Sequence, residues 1–338
     1  MKRVRTYRVF ESSGATGLTP EQREFLNANT VGSRLRWKEN PDGTVDVIGD
    51  FILQESEDVE NLMGITFNRV TRRFSLAGSS INSTAGFPRF VGGDLDLSYT
   101  PIESMVGGPD VIMGTLCFEG SNLETLEGMP DEIQKDLVLD RSYLTKNLSG
   151  GPKKVKGAFY ATQCNLTSLD ESPKFVGGDF ICNDNEINSL IGSPDVVIGD
   201  FDCSHNAITS LQGSPQEVGG DFNCSGNNID LTSLVELLTA KIGGKFICDE
   251  FETKGNWGIE EWIRIFDEES EIARNAVLPL LSPDFLNQRI EENPTDMIMK
   301  LKKVWKSPAF REVRNQLVIP DKHKEDVELV ADLVDLGF

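Results

Sequence analysis

The chain has 338 residues, 38 % hydrophobic and 26 % charged, which are the proportions of an ordinary globular protein with room for two domains. Its net charge of −21 is concentrated in the middle: residues 51–254 carry 14 Lys and Arg against 30 Asp and Glu, residues 1–50 carry 8 against 7, and residues 255–338 carry 11 against 17. An acidic middle repels phosphate backbones, which argues against nucleic-acid binding there; no apolar run is long enough for a membrane helix, and the basic start lacks a signal peptide's apolar stretch.

In chain order, residues 1–45 come first: a basic arm with Lys2, Arg3, Arg5 and Arg8, then one predicted helix. Thr19 suits its N-cap, Pro20 its first position, and Glu21 and Glu24 its positive end. This segment is expected to cover the first coil of the repeat that follows, because a solenoid end otherwise exposes its core. The alternative is that the arm docks on an acidic surface.

Residues 46–254 form that repeat. Pro88, Pro109, Pro130, Pro152, Pro173, Pro194 and Pro215 recur every 21 or 22 residues. A second column keeps step: Phe51, Phe74, Leu95, Leu116, Leu137, Phe159, Phe180, Phe201, Phe222 and, after a longer unit, Phe246. Two columns in one register specify a stack of about nine or ten coils. In the unit that begins at Val197, Asp200-Phe201-Asp202-Cys203-Ser204 alternates polar and apolar, the period of a short half-buried strand. Phe201 and Cys203 are expected inside, and Asp200, Asp202 and Ser204 outside. The Gly-Gly pairs at 92–93, 177–178 and 219–220 fit a turn just before each strand, where positive φ or a close backbone approach is needed.

The run F-x-C-x-x-N-x-I over Phe201–Ile208 resembles the L-x-L-x-x-N-x-L core of a leucine-rich repeat. That resemblance implies that Asn185, Asn206 and Asn227 turn inward and stack, while Ser79, Thr100, Ser121, Ser142 and Cys164 fill the same column elsewhere. The expected fold class is a leucine-rich-repeat-like solenoid of about 21-residue coils with short parallel strands, a helical N-terminal cap and a C-terminal helical bundle. The units FVGGDFICNDNEINSLIGSP and VIGDFDCSHNAITSLQGSP are similar to those of leucine-rich-repeat proteins encoded by large tailed bacteriophages. The lead-in LTPEQREFLNANT and the tail KLKKVWKSPAFREVRNQLVIP and DLVDLGF extend the likeness. It implies a phage source and residence in the host cytoplasm or the virion; it implies no activity and no site residues.

Residues 255–338 change character. Helical patterns run through EEWIRIFDEESEIARNAVLPLL, PDFLNQRIEEN, PTDMIMKLKKVW, PAFREVRNQLVI and KEDVELVADLVDLGF, punctuated by Ser-Pro and Asn-Pro steps at 282–283, 293–294 and 307–308. Trp257, Trp262 and Trp305 are read as core anchors of this bundle, which either caps the last coil or forms a separate module.

The chemistry-bearing residues are few. His205 and His323 lack motif partners, and no phosphate-binding loop, nucleophile elbow or zinc-protease motif is present. Catalysis is therefore not expected. Cys182, Cys203, Cys224 and Cys248 share a column with Leu76, Leu97, Phe118, Leu139 and Ala161, which marks a core position rather than a metal file. The even cysteine count is read as reduced thiols. The G-G-D triplets resemble calcium-binding nonapeptides but recur at 21 rather than nine residues. No cofactor and no metal site are expected.

The outward strand positions are the candidate partner-binding face. Asp94, Asp136, Asp179, Asp200 and Asp221 precede the core residue of their coils; Asp96 and Asp202 follow it; Glu119, Asp140 and Asp249 lie two positions further on. Solenoids bind through strand-lined faces, and a file of carboxylates would relax on meeting a cationic partner. Aspartates that merely keep the sheet face from aggregating are the competing reading. The expected function is non-catalytic binding of a protein, either a host factor or a phage structural protein, without membrane association. The alternative is a structural or decorating component of a phage particle, anchored by its terminal segments.

Overall fold

The computed structural model describes residues 17–53, 59–144, 147–237, 239–292, 294, 297, 298, 301 and 313–320. The basic arm, Trp305, His323 and most of the last three predicted helical patterns lie outside the described residues.

Helix α1 (Pro20–Asn29) starts where the sequence predicts. Thr19 accepts from the Gln22 backbone N–H while the Gln22 side chain reaches back to the Thr19 N–H, so two otherwise orphaned donors are satisfied. Its buried Phe25 meets Phe51 of the first coil, with ring centroids 6.0 Å apart. The chain then forms β1 (Thr30–Glu39), which the sequence did not predict. It pairs antiparallel with β2 (Val45–Ile52) and so covers that strand's edge. The N-terminal cap is therefore a helix plus a strand.

Strand β2 shows how a coil is built. Its first half pairs in parallel with β3 (Phe67–Val70) and its second half with β4 (Phe74–Ser75). In later coils the same path is broken into two strands of two residues, as at Phe175–Val176 and Phe180–Ile181. Between them sits the Gly-Gly-Asp corner. Each coil thus contributes two strands where the sequence suggested one, and two parallel sheets meet at the corner.

Whereas Gly49 at the first corner holds φ of 134°, the glycines of the three Gly-Gly pairs are not in the left-handed region. Their role is space. A Cβ on Gly92 would lie 2.3 Å from the Thr71 carbonyl oxygen of the preceding coil, and one on Gly177 would lie 2.1 Å from that of Lys156. Close approach, not positive φ, selects glycine there.

The core column is in register through the whole array. Phe51 pairs with Phe74, Phe74 with Leu95, Leu95 with Leu116, and so on to Phe222 with Phe246. All ten residues of the column are fully buried. Burial of each such side chain contributes about 1.5–3 kcal/mol, so stacking holds the array together even though every strand of the column after β2 is two residues long. Phe159, Phe180 and Phe201 lie parallel, at 4.8 and 5.5 Å between centroids.

The aromatic file runs on past the last coil. Phe246 meets Trp257 at 4.9 Å, and Trp257 meets Trp262 at 5.7 Å. Trp257 also donates its indole N–H to the Leu237 carbonyl. Both tryptophans are core anchors, as expected. Helices α2 (Ile259–Glu268), α3 (Glu271–Val277) and α4 (Pro283–Glu292) pack beside them and close the solenoid. The single helical pattern expected over residues 260–281 is broken at Ser270, whose side chain accepts from the Ala273 N–H and caps α3.

Candidate functional site

The sheet that carries the core column presents three outward rows and a ridge. The first row is the corner aspartates. Asp94 Oδ1 accepts from Thr115 N at 2.9 Å, Asp136 from Ala158 N at 2.8 Å, Asp179 from Asp200 N at 2.9 Å, Asp200 from Asp221 N at 2.7 Å, and Asp221 from Lys245 N at 2.7 Å. Asp50, which the sequence reading left out, does the same for Arg73 N at 3.0 Å. Each carboxylate thus bonds the backbone of the following coil. All but Asp50 also lie over a glycine there: a Cβ on Gly199 would sit 2.1 Å from Asp179 Oδ1, and one on Gly220 would sit 2.0 Å from Asp200 Oδ1.

The middle row follows the core column by one residue. Asp96 accepts from Ser98 and pairs with Arg73. Asp202 accepts from the Ser204 backbone at 2.9 Å and from Asn223 Nδ2 at 3.2 Å. Between these two aspartates the row turns apolar at Val138, Tyr160 and Ile181, all half-buried. The sequence reading followed charge and missed this stripe. Counting one position after each core residue would have found it.

The third row holds Glu119, Asp140 and Asp249. Glu119 accepts from the Tyr99 hydroxyl at 3.0 Å and pairs with Arg141. Asp140 accepts from Thr162 N at 2.8 Å, and Asp249 from Gly226 N at 2.7 Å. Ser204, expected outside in this row, is buried. Beyond it a ridge of left-handed residues runs coil by coil through Tyr99, Gly120, Arg141, Gln163, Asp184, His205 and Gly226.

The asparagine ladder behind the ridge forms as the repeat resemblance implied. Asn206 Nδ2 donates to the carbonyls of Cys182 and Cys203, both at 3.0 Å, and its Oδ1 accepts from Ile187 N at 2.9 Å. Asn185 and Asn227 repeat the pattern. Where the column holds serine it weakens: Ser79 Oγ is buried with no hydrogen-bond partner among the described residues.

Charge is not spread evenly over this face. Asp96 and Glu119 meet arginines. Asp94, Asp136, Asp140, Asp179, Asp200, Asp202, Asp221 and Asp249 accept only from neutral donors, and among the described residues none has an ion pair within 4.0 Å; seven of these eight follow one another from Asp136 to Asp249. Tyr160 lies among them. Burial, followed by the charges of Asp179, Asp136 and Asp140, raises its phenol above the ordinary tyrosine value.

The thiols are core groups. Cys182, Cys203 and Cys224 are fully buried, and all six cysteines are free. Desolvation pushes Cys164 and Cys248 up to about 11 and also raises Cys182, Cys203 and Cys224. Among the described residues no group of three His, Cys, Asp or Glu is arranged to hold a metal ion. Among them, too, no helix is long and apolar enough to cross a membrane. His205 stands on the exposed ridge above Gly226. No family model matches the sequence, and no curated protein or solved structure is significantly similar to it.

Proposed function

We propose that this chain is a non-catalytic solenoid that binds a protein partner, receiving a basic segment along its acidic strand face between Asp136 and Asp249. The observation that supports this reading best is the uneven neutralisation of the face. Seven carboxylates there are held in place by backbone and side-chain donors that carry no charge. Their geometry is fixed before a partner arrives, which lowers the ordering cost of binding, and their charge remains available for steering. The half-buried stripe of Val138, Tyr160 and Ile181 between them offers an apolar seat, so the fitting segment alternates Lys or Arg with apolar residues.

The source implied by the repeat resemblance places such a partner either in a phage-infected cell or in the phage particle. The test uses immobilised protein and a lysate of cells in which the chain is made, at low and moderate salt. A companion column carries Asp140→Asn, Asp179→Asn and Asp202→Asn together. Asparagine keeps the single acceptor oxygen that Asp140 and Asp179 use, so there it removes the charge and spares the bond; at Asp202 it also replaces the oxygen that accepts from Asn223 Nδ2. A partner retained by the parent, released by salt and lost from the triple variant supports the reading. A partner held equally by both columns, or indifferent to salt, sinks the acidic-face mechanism. Retention of particle proteins would assign the chain to the virion.

A further inference from the structure

Three strands end the array, and the chain covers two of them. β1 pairs along the edge of β2. The segment after Phe246–Ile247 folds back onto that strand, with the Thr253 N–H donating to the Phe246 carbonyl and the Cys248 N–H to the Phe251 carbonyl, both at 3.0 Å. The third strand, Lys241–Ile242, closes the second sheet and has a neighbour on one side only. Lys241 and Gly243 donate backward to the carbonyls of Gln216 and Val218, at 2.9 and 2.8 Å. Ile242 lies between them, so its N–H and C=O point away from the array, and among the described residues neither has a hydrogen-bond partner. In the preceding coils the equivalent carbonyls of Val176, Val197 and Val218 are each taken by the next coil. Bare strand edges are normally covered; this one is left open.

A cavity of about 770 Å³ lies along that edge, a volume with room for a short peptide. Thr239 to Gly243 form one side, and Trp257, Trp262 and Phe285 form the other, with successive ring centroids 5.7 and 6.0 Å apart. Thr239, Lys241 and Gly243 are exposed, so the edge is reachable from solvent. Charge selects nothing here: Lys241 pairs with Glu217 at 3.8 Å, Glu261 pairs with Arg264, and Glu260 and Arg289 are engaged as well. The selective features are backbone and shape. From Val70 to Ile242 every coil places Val or Ile in the inward column of this sheet, and all of them are buried. A strand that continued the sheet would meet the same demand for a stiff, branched side chain.

We infer that this edge binds an extended peptide segment of a partner protein, added as one more strand beside Ile242, with a Val or Ile that continues the inward column along the aromatic wall. The site uses backbone hydrogen bonds and apolar contact, whereas the acidic strand face uses charge, so either can fail without the other. It requires both parts of the chain, since the last coil supplies the edge and the cap supplies the wall.

The probe is an uncharged pentapeptide of alternating threonine and valine with blocked ends, which the acidic strand face does not attract. It is titrated into the full chain while tryptophan fluorescence and the amide exchange of Ile242 are followed. Two further peptides carry N-methyl groups, one on its valines and the other on its threonines. An added strand turns alternate amides toward the edge, so only one of these two should bind about tenfold more weakly than the unmethylated peptide. Gly258→Leu is the blocking variant, because Gly258 lines the cavity, its backbone is extended, and a Cβ there meets nothing within 4 Å. It should weaken binding about tenfold as well, with an unchanged melting temperature. Bound peptide should slow the exchange of the Ile242 amide. No saturable binding by the parent protein up to about 1 mM peptide, or equal binding of the two methylated peptides, would overturn the assignment. So would an Ile242 amide already protected without peptide, which would mean that the chain's own residues fill the edge.

Discussion

Asp200 reaches across one coil boundary to accept the backbone N–H of Asp221 at 2.7 Å, while its own N–H is taken by Asp179 at 2.9 Å. The residues proposed to attract a partner are therefore also rungs that tie successive coils together. Structure and charge can be separated by substitution. Asp200→Asn keeps an acceptor oxygen and should leave stability within about 0.5 kcal/mol of the parent. Asp200→Ala removes it and should cost about 1 kcal/mol, a hydrogen bond to a charged but exposed group. Gly220→Ala should cost more than either, because its Cβ would lie 2.0 Å from Asp200 Oδ1. Urea unfolding of the three variants orders them. Equal loss in Asn and Ala would show that charge, not the acceptor, matters at this position.

The left-handed ridge makes a second, asymmetric prediction. Gln163 holds φ of 57° at a place where other coils use Gly120 and Gly226. A non-glycine residue there costs about 1–2 kcal/mol, and glycine costs about 0.5–1 kcal/mol in unfolded-state entropy. Gln163→Gly should therefore be neutral or stabilising by up to about 1 kcal/mol. Gly120→Ala should destabilise, because its Cβ would fall 2.6 Å from the Tyr99 ring. A melting temperature that drops in Gln163→Gly would refute the strain argument.

The core of this fold was legible because a repeat multiplies weak signals. One Phe in an alternating pentapeptide says little, but ten residues in register from Phe51 to Phe246 leave one arrangement. The asparagine ladder was legible for the same reason. The second sheet was not, because strands of two residues such as Val111–Ile112 are too short to show alternation. Its outward column reads Phe90, Val111, Glu132, Lys154, Phe175, Val196 and Glu217, which has no constant polarity to detect. The ten acidic residues of the candidate face were identified by position. Their bonds to neighbouring coils depend on a three-dimensional register of about 21 residues that no local pattern encodes. β1 was missed although Arg34-Leu35-Arg36-Trp37-Lys38 alternates polar and apolar, because that run is short and lies outside the repeat.

The first coil contains an acid-sensitive carboxyl, Asp46. Asp46 is 8 % exposed. Burial raises its carboxyl, but hydrogen bonds from Asn68 at 2.7 Å and Asn40 at 3.0 Å, with the Arg69 guanidinium at 3.1 Å, outweigh burial and hold it below the ordinary value. A carboxyl lowered in the folded state stabilises above its unfolded value near pH 3.9 and loses that contribution as pH falls through the folded value. The parent should therefore melt progressively lower as pH drops below about 4. Asp46→Asn should be less stable than the parent at pH 6, and the gap should narrow below about pH 3. A gap that stays constant across this window would remove Asp46 from the acid response.

The thiol column provides the last test, because reactivity reports on burial and ionisation together. Cys182, Cys203 and Cys224 lie at 0 % exposure, and burial raises every one of the six thiols for which a shift is resolved. Only a thiolate attacks a disulfide reagent, so at pH 8 the folded chain offers little to react. Cys117 is the half-buried exception, with its sulfur 3.1 Å from Ser98 Oγ on the strand face. Treatment of the native protein with dithiobis-nitrobenzoate should label Cys117 slowly and the column cysteines only at the rate of global unfolding, whereas all six should react at once in denaturant. Rapid labelling of Cys203 in the native state would mean that coils open locally in the middle of the array. A strongly coupled stack should instead fray from its ends, with Cys248 the first of the column to react.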